Sequence, residues 1–164
     1  MQEIKLRDDT LITSKTNLKG DISYANHDFL KYAGYDHIKD VLNKPHNIVR
    51  HKDMPKTVFK YLWEYMKNGD EIFAFVKNLA KNGDFYWVFA NVTPSKDANG
   101  NVIGYYSVRR RPNEKALAII KELYAKLLEL EQKEGVNKAC EMLDEYCKGQ
   151  GKTYNELIFS LQSM

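Results

Sequence analysis

Hydrophobic and polar positions change their period near residue 112, and the two sides of that point predict different kinds of structure. Before it, short apolar runs alternate with turn residues. Leu11–Ser14 and Asp21–Tyr24 read as two short strands joined by the polar turn Asn17-Leu18-Lys19-Gly20. His27–Tyr32 has the spacing of one or two helical turns, closed by Gly34. Asp53 is placed to cap a further helix with Pro55 in its first turn, an apolar face of Val58, Leu62, Tyr65 and Met66, and an end at Asn68-Gly69. Three strands follow: Ile72–Leu79, Phe85–Val92 and Val102–Val108, separated by Asn82-Gly83 and Asn99-Gly100 turns. In the second of these, Phe85, Trp87, Phe89 and Asn91 share one face, against Tyr86, Val88, Ala90 and Val92 on the other. Two strands, a helical block, then three strands predict an α+β fold: a five-stranded antiparallel sheet with short helices on one face. The helical block has to cross from one sheet edge to the other, which leaves a cleft between helices and sheet.

After residue 112 the period is helical. Pro112 and Asn113 mark the boundary, with Asn113 as an N-cap. Ala116, Ile120, Leu123, Leu127 and Leu130 recur at alternating spacings of four and three, the pattern of a helix–helix seam. Gly135 and Gly149-Gln150-Gly151 interrupt two more amphipathic stretches. The expected division is a sensor domain over 1–112 and a helical extension over 113–164. The extension either completes the domain's own fold or offers a docking face to a partner or a second copy, as a homodimer.

Composition narrows the class. The chain has 164 residues, 43% of them hydrophobic, which is enough for a folded core. No stretch approaches the roughly 20 apolar residues of a membrane span, and the N-terminus lacks the apolar centre of a secretion signal, so a cytoplasmic location is expected, with no direct membrane insertion. Cys140 and Cys147 form neither a disulfide framework nor a metal-binding pair, and no metal site is expected. Net charge is +3, and the basic excess lies before residue 113. The Arg109–Arg111 run reads as a solvated or partner-facing strand end, and nucleic acid is not expected as a partner.

One segment is unusually dense in functional groups. Pro45-His46-Asn47-Ile48-Val49-Arg50-His51-Lys52-Asp53-Met54-Pro55 carries two imidazoles, a guanidinium, a carboxamide and a carboxylate between two stiffening prolines. It falls in the block that roofs the cleft. Arg50 presents a planar fork suited to phosphate, and Asn47 both donates and accepts toward a heterocycle edge. The plainer account is that Asp53 caps a helix and pairs with Arg50 or His51. Trp87 and Asn91 share a sheet face and, with Trp63, could line the cleft as an aromatic wall with one amide, or belong to an ordinary core.

These residues also carry a resemblance. Gly20-Asp21-Ile22-Ser23-Tyr24-Ala25-Asn26, Gly34-Tyr35, the Pro45–Pro55 run, Leu62-Trp63, Asn82-Gly83-Asp84-Phe85-Tyr86-Trp87-Val88, Asn91-Val92-Thr93-Pro94 and Ser107-Val108-Arg109 together resemble the PAS domain of Aer-type aerotaxis receptors, in order over most of residues 10–112. The short layout further resembles the stand-alone PAS half of bipartite energy-taxis receptors. The resemblance implies the PAS fold, non-covalent FAD, and a non-enzymatic role. Oxidation state would be relayed to a membrane-bound, methyl-accepting, HAMP-containing partner, placing the protein peripherally at the inner membrane. Carried over position by position, it implies cofactor-binding roles for Arg50, His51 and Asp53, then Asn47 and His46, with Trp63, Trp87 and Asn91 as further pocket residues. A haem sensor using His46 or His51 as axial ligand, a cofactor-free interaction module and a flavin enzyme remain alternatives. A light-driven cysteinyl adduct has no cysteine in the helical block to form it.

Overall fold

The computed structural model describes residues 1–164. Five antiparallel strands form one sheet: β1 (Ile12–Asn17), β2 (Ile22–Ala25), β3 (Ile72–Leu79), β4 (Phe85–Lys96) and β5 (Val102–Arg110), in the spatial order β2-β1-β5-β4-β3. The expected fold class therefore holds. Between β2 and β3 the chain crosses the sheet through α1 (His27–Ala33), 3-10 turns at Ile38–Asp40 and His46–Val49, and α2 (Lys56–Lys67). Asn26 caps α1 by accepting the Phe29 N–H, and Gly34 ends it at φ 84°, a left-handed position that favours glycine. Gly104 answers a different constraint: a Cβ there would come within 2.1 Å of the Thr16 carbonyl oxygen on β1.

Strand parity builds two layers. Residues of the Tyr86, Val88 and Ala90 set face a core with Phe29, Val41 and Ile22 under the crossing segment. The Trp87 and Phe89 set faces the opposite way, and there the helices α3 (Glu114–Glu134), α4 (Val136–Gly149) and α5 (Tyr154–Gln162) cover the sheet. Ala116, Ile120, Leu123 and Leu127 are all buried in this layer, so the helical stripe is spent on the chain's own fold. Tyr124 packs against Trp87 and donates its hydroxyl to the Phe75 carbonyl at 2.5 Å.

Edge strand β3 is closed by side chains and one isolated backbone bridge rather than by another strand. Asn155 on α5 donates to the Glu71 carbonyl and accepts from the Phe73 N–H, much as a neighbouring strand would. Further along, Lys77 donates its N–H to Met54 Sδ and its carbonyl accepts from the His51 N–H. Unpaired strand edges invite association with other chains, and this one is covered along its length.

Asp53 does not cap α2, contrary to expectation. The helix starts after Pro55, and Glu131 from α3 takes the capping place: its carboxylate accepts the N–H groups of Lys56 and Thr57 at 3.2 and 2.8 Å and the Thr57 hydroxyl at 2.6 Å. A carboxylate opposite the positive end of the helix dipole satisfies donors that Pro55 has no side-chain group to accept. No helix is long and apolar enough to cross a membrane.

Candidate functional site

A cavity of about 210 Å³ opens between the inner sheet face and the crossing segment. Its floor follows from register: Ser14 on β1 lies opposite Ser107 on β5, which lies opposite Val92 on β4, and two residues further along β5 Arg109 lies opposite Ala90. Residues paired across strands share a face, so β5 sends Tyr105, Ser107 and Arg109 into the cavity together. Val76 and Asn78 extend the floor on β3. The roof is the turn Pro45–Arg50, with Phe59, Leu62 and Trp63 on α2. Small Gly20 and the cationic Lys19 lie at the rim, where Trp63, 40% exposed, meets Tyr105 edge-on at 6.0 Å.

The electrostatics of the floor are unusual. Arg109 is 6% exposed and makes no ion pair. Its Nη2 lies 2.7 Å from His46 Nε2 and 3.4 Å from Nδ1, across the ring rather than along either lone pair, while Ser14 Oγ is hydrogen-bonded to Nε2 at 2.9 Å. Burial, then Arg109, hold the His46 imidazole well below its ordinary pKa, so it is neutral next to the guanidinium. Burial also pushes Arg109 down to about 10, which still leaves it protonated at neutral pH. Three residues that line the cavity each carry a buried polar atom with no hydrogen-bond partner: Asn78 Oδ1, Ser107 Oγ and Arg109 Nη1. Buried polar groups in native proteins are seldom left unpaired, and an acceptor, a hydroxyl and a cationic donor around one space suit a polar heterocycle.

The sequence-derived candidates divide by position. His46, Asn47, Arg50 and Trp63 line the cavity. Arg50 stacks its guanidinium 3.7 Å from the centre of the Phe59 ring, a cation–π contact at the roof. His51 and Asp53 lie outside, at the β3 edge: His51 Nδ1 accepts the Asp53 N–H at 3.0 Å, and the Asp53 carboxylate meets Lys77 Nζ at 3.0 Å. The carboxyl is lowered from its ordinary pKa by that Lys77 hydrogen bond. Both contacts are made by Asp53, three residues from Arg50 along the chain. Trp87 and Asn91 sit on the opposite face of the sheet, where Trp87 packs on Tyr124 and Asn91 donates to Glu71 at 2.9 Å. The wall expected from Trp63, Trp87 and Asn91 is therefore not assembled. Strand alternation gives the cavity the smaller Val76, Ala90 and Val92 and leaves the larger rings for α3 to cover.

Arg109, Ser107, Asn78 and Ser14 were not among the candidates. Their signal was parity. Ser107 and Arg109 alternate with Val108, but ending β5 at Val108 makes Arg109 look like a solvated edge; the strand continues to Arg110. Asn78 continues the series Ile72, Ala74, Val76 as its only amide.

Comparison with known proteins bears on this geometry. The sequence profile of the PAS fold matches residues 22–109. The aerotaxis receptor of Escherichia coli (strain K12) is 40% identical over 126 residues, 77% of this chain and 24% of the receptor, in keeping with the resemblance read from the Pro45–Pro55 run. A nitrogen fixation regulatory protein of Klebsiella pneumoniae is 24% identical over 97 residues, 59% of this chain and 19% of that protein. The chain thus spans a quarter or less of these curated relatives. Among solved structures, the light state of the blue-light photoreceptor aureochrome1 LOV superposes with a TM-score of 0.58 at 22% identity, covering 74% of this chain and 91% of that one. A light-oxygen-voltage domain studied through a flavin analogue gives 0.55 at 20% identity, covering 76% and 87%. At these identities the structural likeness speaks for the fold.

Proposed function

The chain belongs to the PAS family, and from that premise we propose that it is a redox sensor for energy taxis that holds FAD non-covalently in the cleft. In this reading residues 1–112 sense and the helices of 113–164 transmit, the role is signalling rather than catalysis, and the receiver is a membrane-bound, methyl-accepting, HAMP-containing receptor. The protein then sits in the cytoplasm, peripheral to the inner membrane through that receptor.

The observation that carries the reading is the set of unpartnered buried polar atoms on residues of the cavity floor, Asn78 Oδ1, Ser107 Oγ and Arg109 Nη1, beneath an apolar roof of Phe59, Leu62 and Trp63. They fit the ring edge of a flavin, and the exposed cations Arg50 and Lys19 fit the phosphates of its tail. When bound, a flavin supplies a ring that exchanges electrons and protons and changes its hydrogen-bonding pattern with oxidation level. The chain's own part is to orient and respond. Phe59, Leu62, Val76 and Val92 keep water from the floor, where a mismatched hydrogen bond is costly. The roof helix α2 is tied at its first turn to Glu131 on α3, so a shift of the roof reaches the helical layer directly. A difference of a few kcal/mol between two arrangements is enough to move such a switch.

A haem ligand at His46 is opposed by the guanidinium 2.7 Å from its Nε2, and His51 faces away from the cavity. Cys140 and Cys147 lie on α4, in a groove against α2 and α5, remote from the cavity lining. The test is an absorbance spectrum of protein purified in air and then treated with dithionite, with chromatography of whatever denaturation releases. A flavin spectrum bleached by dithionite, with FAD in the released fraction, is expected. A Soret band, FMN alone, or no flavin even after incubation with excess FAD overturns it.

A further inference from the structure

The cavity floor holds a positive charge with no negative charge to meet it. Arg109 is enclosed by the Phe29 ring at 5.8 Å, by neutral His46 and by the Tyr86 phenol. Burial pushes that phenol up to about 12, so it carries no charge at neutral pH. No carboxylate approaches the guanidinium, and Nη1 has no partner. A buried, uncompensated guanidinium is among the more expensive features a fold can contain, and arginine does not escape it by losing its proton near neutral pH. In the same floor, two residues away on β5, Ser107 Oγ is also unpartnered. Both groups offer hydrogens, and both residues line the same cavity.

We propose that Arg109 is the specificity residue of the cleft: its guanidinium, with Ser107 beside it, receives a carbonyl or anionic oxygen on the edge of a planar heterocycle. This rests on the flavin reading, in which that edge is the dione end of the isoalloxazine ring rather than any part of the tail. Arg109 and Arg50 then divide the ligand between them, Arg109 taking the ring at the floor and Arg50 the phosphates at the roof. Ligand binding supplies the missing counter-charge, so the empty chain is less stable than it would be with an apolar residue at 109.

The experiment titrates chain stripped of ligand with FAD and with riboflavin, which shares the ring and lacks phosphate, followed by flavin fluorescence, and melts each ligand-free variant. Arg109→Met is expected to weaken both ligands by about 10- to 100-fold while leaving the ligand-free melting temperature equal to or above the original. Arg109→Lys recovers part of the affinity, and Arg50→Ala weakens FAD much more than riboflavin. Unchanged affinity in Arg109→Met overturns the proposal. A loss confined to FAD assigns Arg109 to the phosphates and overturns it as well. A lowered ligand-free melting temperature in folded Arg109→Met shows a structural role and does the same; where Arg109→Met does not fold, Arg109→Gln takes its place in both arms. If the unaltered chain takes up neither compound, the flavin reading itself falls and this proposal falls with it.

Discussion

At the residue scale, position relative to the cavity sorts the basic segment into contact and support. Arg50 lines the roof, whereas Asp53 makes a half-exposed pair with Lys77 at the β3 edge. Arg50→Ala is therefore expected to lower FAD affinity about tenfold or more, as for a lost charge-assisted hydrogen bond. Asp53→Ala loses a surface pair worth about 1 kcal/mol or less, and its effect on affinity is expected to be the smaller of the two; equilibrium titration of both variants checks the order. His46 sets a pH dependence. Its native pKa is depressed by burial and by Arg109, so the unfolded chain takes up a proton below about pH 6.5 that the folded chain refuses. Stability is complete above that pH and falls on acidification, by about 1.4 kcal/mol per pH unit, until the native pKa is reached. Urea melts of ligand-free protein between pH 7 and pH 5, roughly the span over which an ordinary imidazole titrates, are expected to show this fall, and His46→Gln to lessen it, with His51, also lowered by burial, keeping the remainder. The chemistry of the Pro45–Pro55 run was legible because its groups are crowded into one short segment. Arg109 was not, because its meaning lies in what fails to surround it.

At the element scale, α2 couples the two layers. Its outward turn roofs the cavity, and its first N–H groups end on a carboxylate that arrives from α3. Thr57 is fully buried, so Glu131→Ala leaves its N–H and hydroxyl unpaired inside the fold. A cost of about 1–3 kcal/mol is expected, read as a fall in melting temperature of about 2–4 °C per kcal/mol. A loss indistinguishable from that of an exposed control such as Glu129→Ala would show that water replaces the cap. The helices and hairpins were readable from period and turn residues, since those act over a few positions. Which residue caps α2 was not, because Glu131 lies far along the chain and no local rule points to it.

For the molecule as a whole, the second helical layer decides what the sheet can expose. Phe75, Trp87 and Phe89 are buried under α3–α5. Removing residues 113–164 uncovers these rings and the Phe73 edge that Asn155 closes. The shortened chain is expected to self-associate or bind a hydrophobic dye, and size-exclusion chromatography against the full chain measures it. A monodisperse, dye-free product would show that the sensor layer is complete without its helices. Since the Ala116–Leu127 stripe is used internally, pairing of two copies through it is not open to the folded chain.

The order of elements, the two faces of β4 and the place of the basic segment are properties of neighbouring residues, and the sequence alone determined them. Alternation and helical period are local, and steric rules translate them directly into structure. Which sheet face borders the cavity, that Trp87 turns away from it, and that Arg109 is enclosed without a counter-charge were decided only when distant segments packed together. Burial and charge compensation are sums over everything surrounding a group, and those surroundings exist only in the folded chain.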